Sequence, residues 1–323
     1  MTIQSCRRRH SAIEMPTTTV FIRSMRFLGG HLVTYPLLHQ LRKTFPEDVI
    51  TVAGTDPVSE HYLDTPWVDR FARVDSLRDK LGIMRNSTRI FVLHWSSEQY
   101  APLGLFCRVP MRVGFHGRRL SDCLWTQSSE KDDRVYLGAA YMTLLQTIRD
   151  FDLQIAAGQA MHALALQAGI RPRPCEVIFM PGGGAGTYKR WRLDAFLALI
   201  APLRQLLGPQ TRFAVITGPD ERREDERLRA MDLPGVQVER DLPMADIARL
   251  ALHARLIVAN DCGPSHLAQH TGCPYVGIFH EPNPEWFWQR RQSRAVMPAN
   301  GSGEIQDVTP EQVLQSCREV LQH

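Results

Sequence analysis

Short runs rich in β-branched and aromatic residues alternate with stretches of helical periodicity along almost the whole chain, and this alternation restricts the possible folds more than any other feature. TTVFIRSM (18–25) reads as a strand. It is followed by Leu28-Gly29-Gly30 and then by a helix in which Thr34, Leu37, Leu38, Leu41 and Phe45 recur on one face, with Pro36 tolerable in the first turn. DVITVAG (48–54), RIFVLHW (89–95) and MRVGF (111–115) continue as short buried strands, and RVYLGAAYMTLLQTI (134–148) as a helix. Strands separated by helices predict a parallel sheet covered on both faces.

Around LQAGIRPRPC (166–175), Gly169, Pro172 and Pro174 break both helix and strand, and after them the alternation restarts. EVIFMPGG, RFAVITG, VQVER, RLIVAN and YVGIFH read as strands, with helices over LDAFLALIAPLRQLL, near 221–231, over MADIARLALHA and over SHLAQHTG. A last helix opens with Thr309, Pro310 and Gln312, a capping pattern with proline at its first position. The expected organisation is therefore α/β, with a doubly wound domain over 17–168 and a second over 169–323. Residues 1–16 are expected to form a disordered leader, the alternative being an upstream start with Met15 as the functional first residue.

With 44% hydrophobic and 22% charged residues, the 323-residue chain has enough apolar material for two cores and does not resemble a disordered chain. No apolar run reaches the length of a membrane span. The net charge is +4, half of it from Arg7, Arg8 and Arg9 against Glu14, too little to indicate a nucleic-acid partner. Seven cysteines without a C-x-x-C pair fit reduced thiols in a cytoplasm better than a disulfide framework.

In open parallel sheets, ligands bind beyond the carboxyl ends of strands, so the residues just after strands carry the most information. NDCGPSHLAQHTGCP (260–274) places Asp261 at a strand end, Gly263 and Pro264 in a tight turn, and Ser265 and His266 at a helix start. Free amides and the helix dipole there suit a phosphate or diphosphate; an ordinary capped strand–turn–helix is the alternative. MPGGGAGTYKRW (180–191) also follows a strand. Its glycines, Gly183 among them, admit close backbone approach, and Thr187 and Lys189 offer a hydroxyl and a cation to phosphate oxygens. A flexible loop with a solvated lysine is the alternative. The segment is neither a P-loop, lacking Gly-Lys-Ser/Thr, nor a G-x-G-x-x-G fingerprint, since Thr187 takes the last glycine's place.

KRW at 189–191, TGPDE at 217–221 and above all NDCGPSHLAQHTGCPYVGIFHEPNP at 260–284 together resemble glycosyltransferase family 9, the heptosyltransferases of lipopolysaccharide synthesis. IRSMRFLGGHLVTYPLLHQLRKTFP resembles the family's opening strand, loop and helix, and RVGF (112–115) its Arg-x-Gly-Phe/Tyr segment. The likeness runs from about residue 18 to 320. It implies a GT-B fold, with two Rossmann-like domains facing across a cleft, the first holding a glycan or lipid-linked acceptor and the second a nucleotide-sugar. It also implies transfer of heptose from an ADP-heptose-type donor with inversion and with neither metal nor cofactor, at the cytoplasmic side and peripheral to the inner face of the membrane. Lys189, Thr187 and the amides around Gly263 to His266 would stabilise the departing diphosphate. By similarity Asp261 and His266 lie near the donor sugar and diphosphate. Glu221 and Met244 lie near ribose and base, unless Glu221 is a solvated helix charge and Met244 a core contact.

One departure bears on catalysis. The family's first loop reads Gly-Asp, and that aspartate is regarded as the base for the acceptor hydroxyl. Here Gly29 is kept, Gly30 replaces the aspartate, and His31 follows. His31 is the candidate substitute, although one step along a helix turns a side chain by about 100°.

Other features have plainer readings. His266 and His270 stand i, i+4 without a third ligand at a metal-site spacing. PEWFWQRR (284–291) suits either an acceptor sugar or packing between domains, and ERREDERLR (221–229) a solvated helix face. Three functions follow in order: an inverting heptosyltransferase-like enzyme, a nucleotide-sugar-binding or scaffold member weakened by Gly30, and a nicotinamide-dependent oxidoreductase. The absent G-x-G-x-x-G argues against the last.

Overall fold

The computed structural model describes residues 15–23, 25–55, 57–94, 99–117, 119–130, 132–169, 174–184 and 186–322, with the side chains of 57–60 left aside. The leader expected over 1–16 lies outside the described residues except for Met15 and Pro16, as does part of the 166–175 break. In the first half, strands β1 (Thr17–Phe21), β2 (Val49–Gly54), β3 (Arg70–Arg73), β4 (Arg89–Val92), β5 (Met111–His116) and β6 (Gln127–Glu130) alternate with helices. These are α1 (Leu28–Leu32), α2 (Tyr35–Thr44), α3 (Leu77–Arg85), α4 (Tyr100–Phe106), α5 (Leu137–Gln146) and α6 (Leu153–Ala165). The second half carries strands β7 (Val177–Met180), β8 (Phe213–Thr217), β9 (Val236–Arg240), β10 (Leu256–Asn260), β11 (Tyr275–Ile278) and β12 (Ser293–Val296). Its helices are α7 (Leu193–Ala198), α8 (Ile200–Leu207), α9 (Arg222–Met231), α10 (Met244–His253), α11 (Gly263–His270) and α12 (Pro310–Leu321).

Among the described residues the strands form two six-stranded sheets, β3-β2-β1-β4-β5-β6 and β12-β11-β10-β7-β8-β9, parallel throughout. Read from β9, the second order repeats the first: the doubly wound arrangement expected from the alternation. The central strands VIFM, FAVIT and LIVAN are buried along their whole length because helices cover both faces. The edge strands β3 and β6, RFAR and QSSE, have exposed polar ends.

Local differences from the sequence expectation have physical causes. The helix expected after Gly29-Gly30 divides into α1 and α2, because Pro36 has no N–H to continue the ladder; Thr34 N–H instead closes a turn on His31 O at 3.0 Å. α12 begins as expected: Thr309 Oγ1 accepts from Gln312 N at 3.3 Å and Gln312 Oε1 from Thr309 N at 2.8 Å. α6 was not anticipated. Asp152 caps it by accepting from Ile155 N at 2.8 Å, and its small residues Ala156, Ala157 and Ala160 let it pack against α2 on one side and α10 on the other. One apolar core therefore runs from the first sheet into the second. Among the described residues, no helix is long and apolar enough to cross a membrane.

Candidate active site

In a sheet of this order, the connections leaving the two central strands turn in opposite directions and open a crevice at their carboxyl ends. In the second sheet those strands are β7 and β10, paired with Ala259 opposite Met180. The loop after β7 leads to Lys189, and the turn after β10 carries Asp261 and Gly263. Asn260 Nδ2 joins the two loops by donating to Pro181 O at 2.8 Å. Lys189 Nζ reaches Asp261 Oδ2 at 2.5 Å, and Asp261 Oδ1 lies 3.8 Å from His266 Nε2. Lys189, Asp261, Gly263, Pro264 and His266 line one cavity of about 390 Å³, whose opposite wall is Arg26 to Gly30 of the first half. Lys189 and the Gly263 turn thus open on the same space.

The two halves touch at glycines. A Cβ on Gly29 would stand 2.8 Å from His266 Cδ2, so only glycine admits this approach of α1 to α11. His266 is buried, and burial pushes its imidazole down to about 4, with Lys189 acting in the same direction and Asp261 opposing. It is neutral at neutral pH.

Gly183 lines the cavity, and Arg190 fastens its loop: Nε donates to Gly183 O at 3.3 Å, while Nη2 lies 3.3 Å from Glu221 Oε1. Glu221 Oε2 also accepts from Gly218 N at 3.0 Å. Glu221 is buried and faces the cavity, so the solvated reading does not apply to it. Met244 serves both of its readings, lining the cavity while packing on the core. The helix face 221–229 is not wholly solvated either. Asp225 is buried, accepts from Thr217 Oγ1 at 3.1 Å and pairs with Arg229 Nε at 3.0 Å, and the Arg229 hydrogen bond draws its carboxyl below the usual range.

Three expected residues lie elsewhere. Thr187 is exposed and does not line the cavity. Ser265 stands in the first turn of α11 rather than at its cap, which is Cys262; its hydroxyl donates back to Cys262 O at 2.7 Å. Pro264 has no N–H and Ser265 N–H bonds Cys262 O at 3.2 Å, so this helix start offers a phosphate fewer amides than expected. His31 is the third correction. It is buried behind the cavity wall, where Nε2 must donate to the carbonyl of Met25 at 2.8 Å and Nδ1 meets Tyr62 Oη at 3.3 Å. Neither nitrogen is presented to an acceptor, so His31 is not placed to act as the base that the sequence suggests.

The space beside Gly30 is filled by Met25, whose Sδ would be 2.0 Å from a Cβ at position 30. The aromatic run at 284–291 is mainly a joint between the halves. Tyr136 stacks on Trp288 at 5.4 Å, Leu137 N donates to Glu285 O at 2.9 Å, and Arg23 pairs with Glu285 at 3.3 Å. Trp286 reaches the cavity as well. Arg190 and Asp241 were not expected at the site, although Arg190 lies within the KRW segment, whereas Trp286 belongs to the 284–291 run for which an acceptor sugar was one of two readings.

Two doubly wound domains with a cleft between them, and a lysine–carboxylate–histidine cluster at the second domain's switch point, define a GT-B protein. Residues 101–311, more than half of the chain, match the model of glycosyltransferase family 9 (heptosyltransferase). The chain belongs to that family. It resembles E. coli heptosyltransferase WaaC with ADP (16% identity, TM-score 0.66, covering 94% of this chain and 100% of that one) and E. coli ADP-heptose lps heptosyltransferase II (17%, 0.60, 95% and 98%). A family 9 glycosyl transferase from Veillonella parvula is similar in the same way (16%, 0.62, 96% and 99%). At these identities the likeness establishes the fold. No curated protein matches the sequence.

Proposed function

We propose that the chain is an inverting glycosyltransferase that moves a sugar, heptose by preference, from an ADP-type nucleotide-diphospho-sugar to a lipopolysaccharide-core or related glycan acceptor. The donor binds in residues 169–323 and the acceptor against residues 17–168. The observation that carries this reading is the cavity at which Lys189, Asp261 and the Gly263 turn meet the Arg26–Gly30 wall. As the acceptor hydroxyl oxygen bonds the anomeric carbon and gives up its proton to solvent, the bond from that carbon to the diphosphate breaks and negative charge grows on the departing oxygen. Lys189, held by Asp261 when no donor is bound, then exchanges a carboxylate partner for that oxygen and frees the Asp261 carboxylate to accept from a sugar hydroxyl. A positive side chain in this place does the work a metal ion does elsewhere, so no cofactor is invoked. Support for an ADP-linked donor comes from the similar E. coli WaaC, whose structures hold ADP and ADP-2-deoxy-2-fluoro heptose.

The test is calorimetric titration with ADP, UDP and ADP-heptose, followed by mass spectrometry of a lipopolysaccharide-core acceptor incubated with donor. ADP binding with a mass increase of one heptose is expected; no binding of any nucleotide defeats the reading. A second reading, a donor-binding member with weakened turnover, is favoured by Met25 filling the place beside Gly30. Peripheral contact with an anionic membrane draws on Leu105, Phe106 and Leu120, which are 47%, 70% and 96% exposed where α4 adjoins the turn Leu120–Leu124. Arg108 follows Phe106 by two residues and Arg85 ends α3, which packs on α4, and neither has an ion-pair partner among the described residues. Sedimentation with anionic vesicles, lost in Phe106→Ser/Leu120→Ser, is the expected result.

A further inference from the structure

Gln269 lies one turn after His266 on α11 and is wholly buried, yet the donor-binding reading gives it no task. Its amide orientation is fixed by two backbone groups. Oε1 must be the atom facing Trp288 N, because a backbone N–H can only donate, and the separation is 2.6 Å. Nε2 then donates to Trp286 O at 3.1 Å, and its second hydrogen faces His266 Nδ1 at 3.3 Å. A nitrogen that accepts from an amide N–H carries no proton, so a neutral His266 must hold its proton on Nε2. Nε2 is the nitrogen on the cavity side, 3.8 Å from Asp261 Oδ1 and against Gly29.

We infer that Gln269 is a positioning residue that locks His266 in the Nε2–H tautomer, making it a neutral hydrogen-bond donor into the cavity rather than a proton acceptor. Tyr136, stacked at 6.3 Å, and Trp286, tilted at 5.3 Å, both pack against the imidazole. The consequence, which rests on the donor-binding reading, is that His266 supplies an N–H to an oxygen of the diphosphate or of the transferred sugar. It cannot replace the base missing at Gly30, because its cavity-facing nitrogen has no lone pair to offer.

The test uses the full chain with ring-¹⁵N histidine. Two-bond ¹H–¹⁵N correlations distinguish the two neutral tautomers and the cation, and the His266 signals are identified by their loss in His266→Gln. At pH 7.5 without ligand the Nε2–H pattern is expected; an Nδ1–H or doubly protonated pattern overturns the inference. In Gln269→Glu the carboxylate still accepts from Trp288 N–H but can no longer donate to Nδ1, so His266 is expected to move to the Nδ1–H form or the cation. In the Nδ1–H form the cavity loses its N–H donor and affinity for ADP-heptose should fall about tenfold or more, as for loss of one hydrogen bond to a charged group, whereas the cation keeps that N–H and should bind no more weakly. An unchanged tautomer in Gln269→Glu overturns the inference too. Gln269→Met, apolar and of similar length, serves if the glutamate variant does not fold, and is expected to lose the uniform Nε2–H pattern. The resonances need no nucleotide. An Nε2–H His266 in a protein that binds no nucleotide-sugar would leave Gln269's role standing while removing the donor reading.

Discussion

Restoring the aspartate usual in this family at position 30 should fail alone and succeed only when Met25 is removed as well. The reason is geometric. A Cβ on residue 30 would come within 2.0 Å of Met25 Sδ, 2.7 Å of its Cβ and 2.9 Å of its Cγ. The thioether can swing away, but the Met25 Cβ cannot leave without the backbone, so trimming to alanine keeps a 2.7 Å collision. Glycine at 25 removes all three contacts and leaves the Met25 carbonyl free to keep accepting from His31. Overpacking of this kind costs about 1–3 kcal/mol. Gly30→Asp is therefore expected to lower the urea midpoint by a corresponding amount without a rate gain. In Met25→Gly/Gly30→Asp, the carboxylate has room to meet the acceptor hydroxyl, and a placed general base is worth about 10²- to 10⁴-fold in rate. The assay is release of ADP from ADP-heptose in the presence of a lipopolysaccharide-core acceptor, with urea unfolding run on each variant. Equal stability and equal rate gain for the single and double variants would refute the steric argument. A double variant that folds stably but turns over no faster than the parent would show that the acceptor's proton does not leave at this wall of the cleft.

Three further outcomes follow from the same geometry. Lys189→Met leaves the Asp261 carboxylate buried without its cation and should cost about 3 kcal/mol in urea unfolding. Lys189→Met/Asp261→Asn should recover most of that stability yet bind ADP no better, as calorimetry will read. For His266 the folded value of about 4 lies below the ordinary 6.5, so the unfolded chain binds the extra proton. The stability this group contributes is complete above pH 6.5 and falls away as the pH drops toward 4. Between pH 7 and pH 5 it amounts to about 2 kcal/mol, and the loss in urea stability across that interval should shrink by that much in His266→Gln. Gly29→Ala sets a methyl group 2.8 Å from His266 Cδ2 and should weaken ADP binding by forcing the walls apart, with α1 itself undisturbed; unchanged affinity would mean the halves do not close on this contact.

How far the sequence revealed these features depends on the range of the forces involved. The strands and most helices were legible because burial pattern and caps act within a few residues: the first four residues of LIVAN are apolar since both faces of the strand are covered, and Thr309 and Gln312 mark the start of α12 with their own side chains. In the residue pattern Lys189 and Asp261, 72 positions apart, stand in two separate post-strand loops, which the family resemblance alone directs at one diphosphate; the sheet order that makes β7 and β10 neighbours brings them within 2.5 Å. α6 was missed because its exposed face mixes Gln154, Gln159 and His162 with the apolar Ile155 while its buried face is largely alanine, so the run LQIAAGQAMHALA shows little amphipathic contrast.

The two histidines of α11 show most clearly what spacing alone cannot say. His266 and His270 lie four residues apart, an arrangement that puts side chains on one helical face and suits a shared ligand. Their surroundings separate them. His266 points Nε2 into the cavity toward Asp261, whereas His270 Nε2 meets Tyr136 Oη at 3.0 Å, and Tyr136 arrives from the first half of the chain at the start of α5. Burial drives both imidazoles to the neutral form, and His270 is pushed further down by its neighbours His266 and Arg290. A pair that a sequence presents as two equivalent ligands thus becomes one donor facing the cleft and one fastening between the halves. The residue that separates their roles is Gln269, which carries no motif signal because its effect passes through a tautomer. For the same reason Tyr136→Phe should weaken the joint by about 1–3 kcal/mol, leaving His270 Nε2 buried without its partner, while the His266 resonances keep their Nε2–H pattern.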